Sequence, residues 1–214
     1  VEGIAAARFN PLDWVVQGGM DVSENAMLLA DAIVVRTSDK EAFWDQMAVG
    51  YLQGVILYVA SDEREDGQRH LPRVRDLMML DGDDMRAFFQ RMLESPHHVV
   101  AATGARMLQM DEKLLSNVMA SVQSHTQFLD SPRLRESLSV SDFRFEDMKT
   151  VPMSVYIVLP ADRVQAFAPW LRLLVQQAIT VNARNIAEKP AKPILFILDE
   201  MAALGRLSMV EQAY

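Results

Sequence analysis

The chain has 214 residues, half of them apolar and 23% charged, with a formal net charge of −8 at pH 7. That composition suits a packed protein and excludes a disordered one. It has no cysteine, which excludes disulfide scaffolds, thiolate zinc sites and Cys nucleophiles. No apolar run reaches the ~18 residues of a membrane span. The start, Val1-Glu2-Gly3, has neither an initiator Met nor the basic and apolar regions of a signal peptide. Both ends read as cut from something longer, since Val210 to Tyr214 stops within a helical pattern.

The charge is uneven. Residues 21–130 hold 18 acidic and 10 basic residues, a net of −8, while the flanks hold 11 of each and are neutral. The densest part is Asp62-Glu63-Arg64-Glu65-Asp66 and Asp81-Gly82-Asp83-Asp84. Phosphate binding needs the opposite sign, so bulk electrostatics do not favour nucleic acid here. Arg69, Arg73 and Arg75 are the residues that could form a local basic face.

Ser23 is an N-cap candidate for a helix over 24–35, and Asp39 for one over about 41–60. In the latter, Phe43, Met47, Tyr51 and Val55 recur every four residues beside Trp44, Ala48, Leu52 and Ile56, a broad buried stripe. After the polar loop Ser61 to His70, Leu71-Pro72 opens a segment to about Leu80. Asp81 or Asp83 caps a helix over 84–94, Ser95-Pro96 begins another to about Met110, and a last covers 112–129. Pro132 marks the exit. Met153 to Leu159 then reads as a β-rich run. A helix over 168–184 carries Pro169 in its first turn. Ile194 to Leu198 is apolar on both faces, as in a buried parallel strand. Residues 153–198 therefore predict a strand–helix–strand unit. The fold class expected is α/β with an all-helical insertion: residues 1–20 and 131–214 in a partial nucleotide-binding domain, residues 21–130 all-helical.

The strongest chemical motif is Ile194-Leu195-Phe196-Ile197-Leu198-Asp199-Glu200. An apolar strand followed by Asp-Glu is the Walker B pattern, with two carboxylates at the carboxyl end of a buried strand. In that chemistry the Asp helps hold Mg²⁺, usually through its water shell, and the Glu polarises the attacking water. The plainer alternative is a strand ending at a polar turn. No lysine follows a glycine, so G-x-x-x-x-G-K-[ST] is absent and this chain alone is not expected to hydrolyse ATP. His70, His97, His98 and His125 lack metal-ligand spacing and read as satisfied or solvent-facing. The 14 methionines read as core fillers, and Trp14, Trp44 and Trp170 as core anchors.

Three stretches together resemble the type IV coupling proteins, the VirD4/TraG/TraD family. Arg8-Phe9-Asn10-Pro11-Leu12-Asp13 is similar to the family's "fNPLD". Phe43-Trp44-Asp45 with Leu52-Gln53-Gly54-Val55-Ile56-Leu57-Tyr58-Val59 resembles "FWd…LLxGLILhv". Leu195 to Leu207 resembles "lfllDEfaaLGrl", with Met201 where an aromatic is common. The resemblance implies a RecA-like P-loop motor with an inserted all-alpha domain. It implies a homo-hexamer on the cytoplasmic face of the bacterial inner membrane, its anchor and Walker A loop lying before Val1. It implies recruitment of DNA–protein or effector substrates to a type IV secretion channel. ATP and Mg²⁺ are the implied cofactors, with Asp199 the Mg²⁺-associated, cofactor-binding carboxylate and Glu200 the catalytic base. The implied partners are a secretion substrate or relaxase-complex protein on the acidic helical domain, the channel components, and DNA in the full hexamer. Two other readings remain: a non-catalytic helical interaction module on a vestigial NTPase fold, and a DNA-pumping motor of the FtsK or HerA kind, against which the helical insertion argues.

Overall fold

The computed structural model describes residues 6–35, 41–184 and 187–199. The chain divides at Ser141/Asp142 into two compact units.

The first unit is helical. Its helices are α1 (Leu12–Val16), α2 (Val22–Ile33), α3 (Ala42–Ser61), α4 (Leu71–Met78), α5 (Gly82–Leu93), α6 (His98–Gln109), α7 (Glu112–His125) and α8 (Pro132–Ser137). α3 is the axis. From Val55 to Ala60 every residue is buried, the mark of a helix covered on all sides rather than along one stripe. α1, α2, α4, α6 and α7 all pack against it. Phe88 and Phe89 of α5 meet Tyr58 and Tyr51 of α3 edge-on, with ring centroids 5.2 and 6.0 Å apart. The two tyrosines are seven residues apart, two turns along one face.

Local chemistry sets the helix ends. Asp111 caps α7 by accepting from the Leu114 N–H at 2.9 Å, and His70 Nδ1 caps α4 by accepting from the Arg73 N–H at 3.1 Å. α5 starts at Gly82, whose φ of +49° is a left-handed conformation that favours glycine. Asp81 takes its N-cap position without a side-chain cap bond. Asp83 and Asp84 fall in the first turn, where they complement the helix dipole. α2 starts at Val22 with Asp21 before it, not with Ser23 as cap. Asp39 lies outside the described residues. α7 was expected to run to 129 and stops at His125, continuing as a 3-10 turn over Gln127–Asp130. At that end Arg75 donates to the Gln123 carbonyl (2.8 Å) and to Thr126 Oγ1 (2.9 Å), which satisfies a terminal carbonyl that a further α-turn would use.

The second unit contains α9 (Ala168–Arg184), as the sequence predicts. The expected partial RecA-like sheet is not present: the described residues form helices and no strand. Residues 153–159 keep a period-two burial pattern. Met153, Val155, Ile157 and Leu159 are half-buried, and Ser154, Tyr156 and Val158 are exposed. In the other run, Leu198 packs with Leu171 and Ile179 around Val175 of α9, while Leu195 (78% exposed) and Ile197 (81%) face solvent. Apolar composition made these runs read as strands. A strand needs a ladder partner, and a parallel sheet needs both faces covered. Neither run has a ladder among the described residues, and α9 covers one face only. A cavity of about 390 Å³ remains between α9, Phe145, Met148 and the two runs.

Candidate functional site

Asp199 stands at the end of the 194–198 run, exposed to solvent. Glu200 lies outside the described residues. No cluster of three or more His, Cys, Asp or Glu with metal-binding geometry is present among the described residues.

The Asn10-Pro11-Leu12-Asp13 segment, by contrast, is a structural knot. The Asn10 side-chain amide donates to Asp13 Oδ1 and to the Arg69 carbonyl, both at 2.8 Å. Its Oδ1 accepts from the buried Leu12 N–H at 3.2 Å. Its backbone N–H donates to Ser141 Oγ at 3.0 Å, and the Phe9 N–H to the Ser137 carbonyl at 2.8 Å. Where the chain enters the helical unit, it is tied to where it leaves.

No basic face forms at Arg69, Arg73 and Arg75. Arg73 holds the buried Glu65 through two bonds of 2.6 and 3.0 Å. Arg75 is itself buried and holds Asp130, and Arg69 lies 3.6 Å from Asp66. Arg135 of α8 pairs with Asp76 of α4. With these arginines neutralised, Glu63, Asp81, Asp83, Asp84 and Glu112 remain as exposed acids. Two arginine pairs also set pKa directions. The Arg75 hydrogen bonds hold Asp130 below the usual carboxylate range, and hydrogen bonding to Glu65 raises Arg73.

A polar concavity in the helical unit carries no signal in the sequence. It lies between the start of α3 and the last turns of α7, a cavity of about 550 Å³. Glu41, Asn117 and Ser124 form an exposed rim, Trp44, Ser121 and His125 are half-buried, and Asp45 is buried at the base. His125 Nε2 lies 3.0 Å from Asp45 Oδ1, whereas Asp45 Oδ2 has no hydrogen-bond partner. Phe43, 58% exposed, stands edge-on to Trp44 at 5.1 Å. Asp45 and His125 are 80 positions apart, so no local spacing could announce the pair. Trp14, Trp44 and Trp170 are all half-buried rather than core. Of the methionines, Met78, Met107 and Met119 are buried while Met79 is 51% exposed.

The model of the family described as type IV secretory system conjugative DNA transfer matches residues 2–214. The chain belongs to that family. Among curated relatives of this type IV family it is 25% identical to the conjugal transfer protein TraG of Escherichia coli, over 96% of this chain and 35% of TraG. It is 25% identical to the protein VirD4 of Rhizobium radiobacter, over 89% of this chain and 27% of that protein. It is 22% identical to the type IV secretion system-coupling protein VirD4 of Bartonella quintana (strain Toulouse), over 96% of this chain and 33% of that one. The chain thus spans about a third of the length of these relatives. No solved structure matches. Among the described residues of this family member, no helix is long and apolar enough to cross a membrane.

Proposed function

We propose that this chain serves, within a longer coupling protein, as the part that meets transfer substrates in type IV secretion or conjugation. The observation that carries the reading is the family match over residues 2–214. The knot at Asn10 supports it: entry and exit of the helical unit are tied together, the geometry expected of an insertion into another domain. The unit's exposed acids and paired arginines favour a basic protein partner, such as a relaxase-complex component or an effector, over direct grip on DNA. The longer protein acts as a hexameric ATPase at the cytoplasmic face of the inner membrane, coupled to the channel components, with DNA passing in the full hexamer. Asp199 and Glu200 are its carboxylate pair toward Mg²⁺ and ATP. This chain, lacking the Gly-Lys phosphate cradle, hydrolyses no ATP alone.

The test is DNA transfer from a donor strain in which the full reading frame carries Glu200→Gln. Transfer is expected to fall at least about 100-fold, as for loss of a group acting in the chemical step, with the protein present at unchanged level. Unchanged transfer would leave the non-catalytic interaction module as the better reading. Binding of the 214-residue chain to single-stranded DNA at about 0.15 M salt, as tightly as to any substrate protein, would sink the protein-facing assignment.

A further inference from the structure

We infer that the cavity at the α3/α7 junction binds a guanidinium group, and that its occupant is an arginine side chain of a partner peptide. Three observations converge. First, Asp45 is 3% exposed and its Oδ2 is unpartnered at the base of the cavity. A buried carboxylate oxygen left without a partner is destabilising, and a cationic donor entering the cavity would relieve that. His125 already occupies Oδ1, so Oδ2 is the oxygen left without a partner.

Second, the wall and rim suit an organic cation. Trp44 lines the cavity, and an indole beside a carboxylate favours a guanidinium through both stacking and charge. Glu41 adds negative charge at the rim, and Asn117 and Ser121 offer acceptor oxygens for the remaining N–H groups. A metal ion fits poorly, because no three ligating side chains cluster among the described residues. A phosphate has the wrong sign.

Third, the dimensions match. A volume of about 550 Å³ lies in the range of small-ligand sites, and Glu41, Asn117 and Ser124 at its rim are exposed. That the arginine arrives on a transfer substrate rests on the function proposed above; the pocket chemistry stands on its own residues.

The experiment titrates the 214-residue chain with N-acetyl-arginine methylamide, its lysine, norleucine and glutamate counterparts, and free L-arginine. The readout is the NMR shift of the Trp44 indole N–H and the His125 ring. The blocked arginine is expected to bind saturably and tightest, shifting both residues. Asp45→Asn, which keeps an acceptor for His125, is expected to weaken it at least about tenfold. Glu41→Gln, at the exposed rim, is expected to weaken it about twofold with folding intact. Equal shifts with norleucine, or full affinity in a folded Asp45→Asn protein, would overturn the proposal. If Asp45→Asn fails to fold, undiminished affinity in Glu41→Gln together with indifference to salt overturns it instead. Binding of free arginine with none of the blocked amide would overturn the peptide occupant. DNA transfer with Asp45→Asn in the full reading frame separates the two levels: transfer unchanged while arginine binding is lost removes the substrate link and leaves the pocket.

Discussion

The guanidinium of Arg75 holds both carboxylate oxygens of Asp130, with Nε to Oδ1 at 2.9 Å and Nη2 to Oδ2 at 2.7 Å. Its other nitrogen closes the end of α7 through the Gln123 carbonyl and Thr126 Oγ1. One side chain on α4 thus satisfies the end of α7 and holds the 3-10 turn that follows it.

Arg75→Ala leaves the fully buried Thr126 hydroxyl without that donor, and the last carbonyls of α7 without a cation. Removing one partner of a buried ion pair costs about 3–5 kcal/mol; with Asp130 half-exposed, the lower end is expected. Chemical denaturation of the single variants and of Arg75→Met with Asp130→Asn checks this, because the double change should cost less than the two single changes added. Asp130, with its pKa lowered by Arg75, stabilises the fold above the ordinary carboxylate pKa of about 4. That contribution is lost as pH falls through the depressed folded value.

His70 provides a pH-dependent helix cap. Its Nδ1 must be unprotonated to accept from the Arg73 N–H, and burial, first among the causes, lowers its pKa. The unfolded chain therefore takes up the proton before the folded one. The stabilisation is complete above about pH 6.5 and declines as pH falls toward the folded value. His70→Asn retains a capping acceptor and cannot titrate. Urea midpoints at about pH 7.5 and about pH 5.5 should fall less for the variant than for the parent. An equal fall would assign the pH dependence to other groups.

Gly104 is where α6 meets α5 most closely. A Cβ there would lie 2.6 Å from the Phe89 carbonyl oxygen and 2.7 Å from the Leu93 nitrogen, both backbone atoms that cannot swing aside. Gly104→Ala is expected to cost about 1–3 kcal/mol as overpacking. For Gly54→Ala the nearest atoms are all of the Thr103 side chain, so Thr103→Ser should relieve part of its cost and should give Gly104→Ala no comparable relief. Thermal melts of the three single and two double variants decide it.

Asn10→Ala removes the acceptor of the buried Leu12 N–H and the donor to the Arg69 carbonyl. A cost of about 1–3 kcal/mol is expected for the unmet backbone groups, with faster amide exchange at Leu12 than in the parent. Exchange unchanged at Leu12 would mean that the neighbouring backbone bond from Phe9 to Ser137 carries the junction without Asn10.

Much of the helical unit was legible in the sequence. Met47, Tyr51 and Val55 repeat at the period of a helix, and Leu71-Pro72 opens α4 as read, where propensity acts locally; Pro132, read as the exit, instead opens α8. The Asn10 segment was legible as a motif and not as a knot, because its partners, Arg69 and Ser141, are 59 and 131 positions away. Asp199 was readable from the apolar run before it, yet that run's lack of a ladder among the described residues was not: apolar composition specifies that residues 194–198 seek cover and not whether a ladder exists to receive them.

The sequence by itself determined the longer helices and the acidic bias of residues 21–130, since periodicity and charge are properties of neighbouring residues. Only the tertiary structure decided that Arg75 meets the end of α7, that Arg69 and Arg73 are spent on carboxylates, that residues 153–159 and 194–198 form no sheet among the described residues, and that Asp45 meets His125 with Oδ2 left without a partner. Those outcomes depend on which groups remain unpaired once distant segments are packed together, and pairing across 48, 55 or 80 positions leaves no local trace.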